Sequence, residues 1–555
     1  MKHYDRQQIR PIGWWRQGDL APQTGFDALQ EALLRVNASV CLLDMAPEMG
    51  VGSGGAACIE ARPADAGAGD VPLVAYVPPL HPQDLGDPRF KTVFRLHYPY
   101  VVGAMANAIT SVEMVEAAAK AGMLAFFGAA GLPIHRIEAA IDQLQQRLDP
   151  LPYGLNLIHS PNEPDLEAAT VNLYLSKGVR LVSASAYLDL TLPLVTYRVR
   201  GIRLNADGSV VCPNQIIAKA SRVEVARRFL SPPPEKLLAR LQSQGRISAE
   251  EAALAQSVPM ADAVTAEADS GGHTDNQPAI SLLPTFLALR DAMAARYGYQ
   301  NPLFVGLGGG IATPQSAAAA FALGAAYILT GSVNQACVEA GTSETVRQML
   351  TEAGQADVTM APSADMFEMG VKVQVLKRGT MFPFRAARLY DLYSRFKSLE
   401  DLPAKDRAVL ERDIFRRNLQ EEWAHTQTFF QQRDPAQIER ARSDPKHRMA
   451  LVFRSYLGQS SHWANSGHAD RQLDYQIWCG PAMGAFNQWV KGTFLAEAKN
   501  RRTVSVALNL LTGAAVLTRC SWLRSQKILL PPQFGSFTPL PFEQLKQLLE
   551  TESAG

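Results

Sequence analysis

From about residue 95 to 333, short apolar runs alternate with amphipathic segments at helical spacing. The runs "YPYVVGA", "MLAFFG", "YGLNLI", "RLVSAS", "QIIAKAS", "ADAVTAEA", "PLFVGLGGG" and "AAYILTGS" read as strands, and a helical segment follows each. That alternation predicts parallel βα units. Eight such units is the number that closes a (β/α)8 TIM barrel. A doubly wound open sheet is the competing fold. Local punctuation supports the helices. Thr110 stands three before Glu113 as a capping box, and Gly122 ends that helix. Ser160 and Glu163 open another, which stops at Gly178.

Two insertions interrupt the rhythm, near 198–214 and 231–258. The first, "RGIRLNADGSVVCPN", predicts a hairpin turning at Asp207-Gly208. The second predicts a helical pair. Residues 1–92 have short strands and turn-rich segments, with "ARPADAGAGD" as a loop, and form a small N-terminal α/β domain. The barrel spans 93–340. Residues 341–555 read as a mostly helical C-terminal region packing on it, with helical periods over 363–397, 405–432, 435–457 and 502–526.

Composition narrows the picture. A chain of 555 residues is too long for one ordinary core. Its 47% hydrophobic and 19% charged residues are those of a globular protein. The net charge of +1 points to neither nucleic acid nor an anionic membrane. Scattered cysteines without a CxxC pair read as reduced thiols, and the polar start "MKHYDRQQIR" lacks an apolar signal core, so a cytoplasmic location is expected. No uninterrupted apolar run of about 18 residues predicts a membrane span.

In a closed barrel the strand C-termini build the active face. The first strand ends in Gly103, Ala104, Met105, Ala106 and Asn107. The third carries Asn156, the fifth Lys219, and the sixth runs from Glu267 to His273. The seventh ends in Gly308, Gly309 and Gly310, the eighth in Gly331 and Ser332. Two Gly-rich turns running into helices point to a phosphate held by free N–H groups; tight turning alone is the competing explanation. Their spacing is not a dinucleotide fingerprint. Lys219 closes a buried-looking run, which calls for an anion, a functional task or a structural ion pair. Asn156 serves equally as a cap, and Met105 is core by default. Gly271 and Gly272 would let backbone approach a flat ligand, with His273 beside it as proton donor or polar anchor. Glu267 and Asp269 fit loop organisers better than a catalytic pair. His462 and His468 match no zinc spacing, so no metal is expected.

These motifs carry a resemblance. "GAMAN", "EADSGGHTDN" and "GLGGGIATPQSAAAAFALGAAYILTGSVNQ" resemble the nitronate monooxygenase and FabK-type enoyl reductase superfamily, flavin enzymes that bind FMN. With "SYLGQSSHWANSGHADRQLDYQIWCGPAMGAFNQWVKGTFL", the chain is similar over nearly its whole length to the PfaD family, the separate, trans-acting enoyl reductases of polyunsaturated fatty acid and polyketide synthases. The resemblance implies that Gly103, Ala104, Met105, Asn107 and Asn156 line the flavin. It puts Lys219 near the pyrimidine edge with Glu267 on the cofactor side, Gly271 and Gly272 against the cofactor, and His273 beside the reacting carbons. Gly308, Gly309, Gly310, Gly331 and Ser332 would hold the phosphate, so a valine at 309 would exclude FMN with the fold intact. It also implies NADPH as reductant, a trans-2-enoyl thioester as substrate and acyl carrier protein domains as partners; a homodimer is expected. A flavin oxygenase acting on nitronates and a non-catalytic docking subunit of a synthase stay open.

Overall fold

The computed structural model describes residues 10–59, 69–159 and 164–550. Eight parallel strands close into a barrel: β1 (Tyr100–Val102), β2 (Leu124–Phe127), β3 (Gly154–Ile158), β4 (Leu181–Ser185), β5 (Gln215–Ala220), β6 (Ala263–Glu267), β7 (Phe304–Gly308) and β8 (Ile328–Thr330). They lie in sequential order, and β8 pairs β1, with Leu329 opposite Val101, to complete the ring. The open sheet is therefore excluded. Val101, Phe126, Leu181, Ile217, Ala263, Phe304 and Leu329 meet inside as one apolar cluster. Gly154 supplies no side chain there, and its vacant position is filled by the Phe126 ring. The helix Pro88–Phe94 adds Phe90 and Phe94 to the same cluster, Phe90 stacking on Tyr327 at 4.3 Å between ring centroids. That helix straddles the expected boundary at 92/93, because its aromatic side packs with the barrel strands.

Both insertions have the expected form. Strands Arg203–Leu204 and Val210–Val211 pair across a turn in which Gly208 takes φ 80 and Asp207 accepts from the Ser209 N–H. Helices Glu235–Ser243 and Ala249–Ala255 make the pair. The N-terminal unit is a six-stranded antiparallel sheet with one helix, Phe26–Leu34. Most of the "ARPADAGAGD" loop and the Ser160/Glu163 helix start lie outside the described residues.

One C-terminal helix, Thr503–Ser525, is long and apolar enough to cross a membrane, but 89% of its most apolar window is buried inside the protein. Gly513 lets it approach Pro314 of the helix after β7, where a Cβ would come within 2.6 Å of the ring. At its other end the buried Arg519 donates to the carbonyls of Leu33, Arg35 and Ala38, and Gln526 bonds the backbone of Tyr76 in both directions. The helix thus joins barrel and N-terminal sheet.

The C-terminal region departs from the helical expectation at two strands, Val358–Pro362 and Lys372–Leu376, which form a three-stranded antiparallel sheet with Gly272–His273. "KVQVL" alternates β-branched and polar residues, a period-2 signal inside a window that otherwise reads as helix. Residues 405–432 break at Arg416, which takes φ 58, and 435–457 splits before Pro445, whose helix then runs to Ser466.

The first barrel helix is capped by Ser111, not Thr110: Ser111 Oγ accepts from the Met114 N–H at 3.0 Å. Ser111→Ala is expected to cost about 1 kcal/mol, within the usual range for losing such a cap, as measured by denaturant unfolding. Thr110 instead ties the loop after β1. Its hydroxyl donates to Gly103 O at 2.8 Å and accepts from the Met105 N–H at 2.9 Å.

Candidate functional site

A cavity of about 1290 Å³ opens at the C-terminal end of the barrel. Gly103, Ala104, Met105, Asn107, Asn156, Lys219, Glu267, Gly271, Gly272, His273, Gly308, Gly309, Gly310, Gly331 and Ser332 all line it. Parallel strands bring these positions together, since each lies near the end of a strand or in the loop beyond it. His462 also lines the cavity. Its ring lies 6.1 Å from His468, and no group of three metal-ligating side chains occurs among the described residues.

What each residue does locally differs from the expected picture in several places. Lys219 Nζ pairs with Glu267 Oε1 at 2.6 Å, so the two anticipated cofactor-side groups also bind each other. Asn156 Oδ1 accepts from Ser185 at 3.2 Å, while its backbone carbonyl accepts from the Tyr174 hydroxyl. Asn107 holds φ 58 and donates its amide to Ser461 Oγ at 3.0 Å. It therefore fastens the β1 loop to the helix Pro445–Ser466 as well as lining the cavity.

The loop after β6 is held by the C-terminal region. Gln374 donates to Asp269 Oδ1 and to Ser270 O, each at 2.8 Å, and Asn276 also donates to Asp269 at 2.8 Å. Asp269 is a loop organiser; Glu267 is the Lys219 partner. Gly271 lines the cavity, and its missing side chain also makes room for another stretch of backbone. Its Cβ position is 2.9 Å from the backbone of Cys479 and Gly480, and a Cβ on Gly480 would in turn meet Gly271 N at 2.8 Å. Two glycines cross here in contact. Gly480 N–H also donates to Ser332 Oγ at 3.2 Å, which engages one lone pair of the anticipated phosphate hydroxyl.

The glycines of the last two strand ends fall into two groups. A Cβ on Gly309, at φ 86, would lie 2.6 Å from the carbonyl of Ala268, so that glycine serves the packing of the β7 loop on the β6 loop. The expectation of an intact fold with valine at 309 is corrected accordingly. A Cβ on Gly103 would likewise come within 2.6 Å of Leu329, and one on Gly308 within 3.1 Å of Thr265. Gly272, Gly310 and Gly331 have nothing within 4 Å of where a side chain would begin, and all three face the cavity. Gly331 caps the one-turn helix Ser332–Gln335 without any side-chain cap.

His273 Nε2 lies 3.2 Å from Asp365 Oδ1, and Ser363 Oγ donates to that oxygen at 2.6 Å. The His273 side chain is 36% exposed; desolvation lowers its proton affinity, the Asp365 carboxylate and then Glu267 raise it, Lys219 lowers it slightly, and the net shift is upward. Asp365 is pushed upward by burial, yet its charge and hydrogen-bond interactions with His273 hold it well below the usual carboxylate range. Sequence reasoning missed Asp365 and Ser363, whose only signal is the strand alternation flanking "SAD". It also missed Glu167, a buried carboxylate accepting from Tyr187 at 3.0 Å and bonded to His159 at 2.8 Å on the cavity wall. Phe429, Phe430, Leu457 and Trp478 roof the cavity from the C-terminal region.

Comparison with known proteins places this geometry among relatives. The family model for nitronate monooxygenase matches residues 88–402, and that for the inserted helical domain of acyl-carrier-protein S-malonyltransferase matches 396–475. A polyunsaturated fatty acid synthase polypeptide of Thraustochytrium sp. is 48% identical over 449 residues, covering 80% of this chain and 30% of that protein. Polyketide biosynthesis protein PksE of Bacillus subtilis is 46% identical over 436 residues, 78% of this chain and 56% of that one. The chain thus spans well under two thirds of the length of these curated relatives. The crystal structure of the enoyl reductase domain of MlnA, from the macrolactin biosynthesis cluster of Bacillus amyloliquefaciens, superposes with a TM-score of 0.76 at 39% identity, covering 80% of this chain and 100% of that one.

Proposed function

The chain belongs to the nitronate monooxygenase family, and from that premise we propose that it is an FMN-dependent enoyl reductase, acting in trans on trans-2-enoyl thioesters carried by the acyl carrier protein domains of a polyunsaturated fatty acid or polyketide synthase, with NADPH as reductant. The observation that carries this reading is the convergence of all eight strand ends on one cavity whose lining combines His273 with open glycine backbone. The names of the fatty acid synthase, polyketide and macrolactin relatives support the substrate class, and the 396–475 match supports a carrier-protein partner.

The residues present fit FMN. Gly310 and Gly331 leave a cradle that a Cβ would fill, beside the uncapped first turn of Ser332–Gln335, which suits a phosphate. Asn156 and the Lys219–Glu267 pair would meet the polar edge of the ring system, and Gly272 its face. A bound flavin, reduced by NADPH, supplies hydride to the β-carbon of the enoyl group. The chain's own work is to orient the thioester and deliver the other hydrogen. His273 gives its proton to the α-carbon as negative charge builds toward the thioester carbonyl. Phe429, Phe430, Leu457 and Trp478 form an apolar roof for the acyl chain and shed water from the reacting atoms.

The deciding experiment is anaerobic. NADPH should bleach the protein-bound flavin, and a carrier-protein-bound enoyl thioester should restore its colour. Since the family model also favours a flavin oxygenase, a flavin that turns over only with nitronate and oxygen would replace this reading. Lys219→Ala is expected to weaken flavin retention about tenfold or more, as for a lost hydrogen bond to a charged group. Glu267→Gln should retain flavin. Equal losses in both variants would make the ion pair structural and remove Lys219 from the cofactor.

A further inference from the structure

We propose that Asp365 is the positioning residue of the proton donor, holding the His273 ring through Nε2 so that the proton leaves from Nδ1. This rests on the reading of His273 as the donor at the flavin site. Backbone and side chain of His273 are fixed by the same hairpin. Gly272 and His273 pair with Gln374 and Val373 of the strand Lys372–Leu376, and Asp365 stands in the turn joining that strand to Val358–Pro362. Its carboxylate meets the ring at 3.2 Å and is itself fixed by Ser363 at 2.6 Å. The ring's Nδ1 makes no hydrogen bond among the described residues and His273 lines the cavity, so Nδ1 is the nitrogen available to a substrate.

The other charges around the imidazole do not replace Asp365. Glu267 and Lys219 face it from the ends of β6 and β5 with opposite effects, and they neutralise each other at 2.6 Å. Arg454 reaches the adjacent turn, but it is committed to Ala364 O at 2.8 Å and to Glu368 at 3.2 Å. The net upward shift of His273, against burial, agrees with this geometry. The imidazolium–carboxylate pair exists between the depressed value of Asp365 and the raised value of His273. Its contribution fades as pH falls through the first or rises through the second. The carboxylate favours the protonated donor, against the desolvation that favours the neutral ring.

The test is Asp365→Asn, with two readouts. NMR titration of the His273 imidazole in flavin-free protein should show its midpoint falling, because burial is left unopposed. In flavin-loaded protein the enoyl half-reaction should slow roughly tenfold at alkaline pH, a part of the about 10²–10⁴-fold a general acid contributes, and its pH profile should move to lower pH. Flavin reduction should keep its rate, and Asp365→Glu should restore most of the midpoint. An unchanged midpoint in a folded Asp365→Asn protein overturns the inference. If that variant does not fold, the wild-type titration decides: a midpoint above the ordinary histidine value of 6.5 sustains the inference, and one at or below it overturns it. A wild-type protein that reduces no enoyl thioester, yet loses its His273 midpoint with Asp365, would sink the enoyl reductase reading and leave the pair standing.

Discussion

His273→Ala is expected to slow the enoyl half-reaction by about 10²–10⁴-fold while NADPH-driven flavin reduction stays near the wild-type rate. The asymmetry comes from where charge develops. Flavin reduction needs only hydride arrival at the cofactor. Reduction of the enoyl group builds negative charge on the substrate, which must be met by a proton at the α-carbon. His273 lines the cavity with Asp365 3.2 Å from its Nε2, which places a donor at the reacting atoms. Rapid mixing that times each half separately checks the prediction. Equal slowing of both halves would make His273 a residue that positions flavin. No slowing of the enoyl half would hand the proton to solvent or to another group.

The second large effect separates two glycines that look alike in sequence. Gly331→Val should leave folding intact and reduce FMN affinity by about 10²-fold or more. Gly331 takes φ −125 with open space where its side chain would begin, and a valine there would fill the phosphate cradle and cost charge-assisted hydrogen bonds. Gly309→Val should instead destabilise the protein by about 1–3 kcal/mol from overpacking, on top of the strain of a β-branched residue at φ 86. Its flavin loss would then follow from a displaced loop. Flavin titration of the apoprotein beside denaturant unfolding tests both. A Gly331→Val protein with full flavin affinity would remove the eighth strand end from the cofactor site. A Gly309→Val protein of unchanged stability would remove the packing argument.

The contrast marks how far local pattern reaches. Strand and helix periods depend on residues within a few positions of each other, so the eight runs, the hairpin at Asp207-Gly208 and the helix Thr503–Ser525 were legible along the chain. Once a barrel is inferred, strand-end residues must share one face, which is why Asn156, Lys219, His273 and Gly331 could be grouped from the sequence alone. Other features depend on contacts across the fold. Which glycine serves a ligand and which serves another backbone turns on what approaches it. Gly271 meets Gly480 and Gly309 meets Ala268, neither of them a neighbour in sequence. Thr110 and Ser111 are both capable caps, and only the trajectory of the β1 loop assigns one to the helix and the other to Gly103 and Met105. Asp365 lies 92 residues from His273 and reaches it through a sheet that joins the β6 loop to the C-terminal region. Periodicity thus settled the barrel and the face that bears chemistry. The proton affinity of the histidine at its centre is raised by a carboxylate that only tertiary packing brings within 3.2 Å, because charge acts through space and not along the chain.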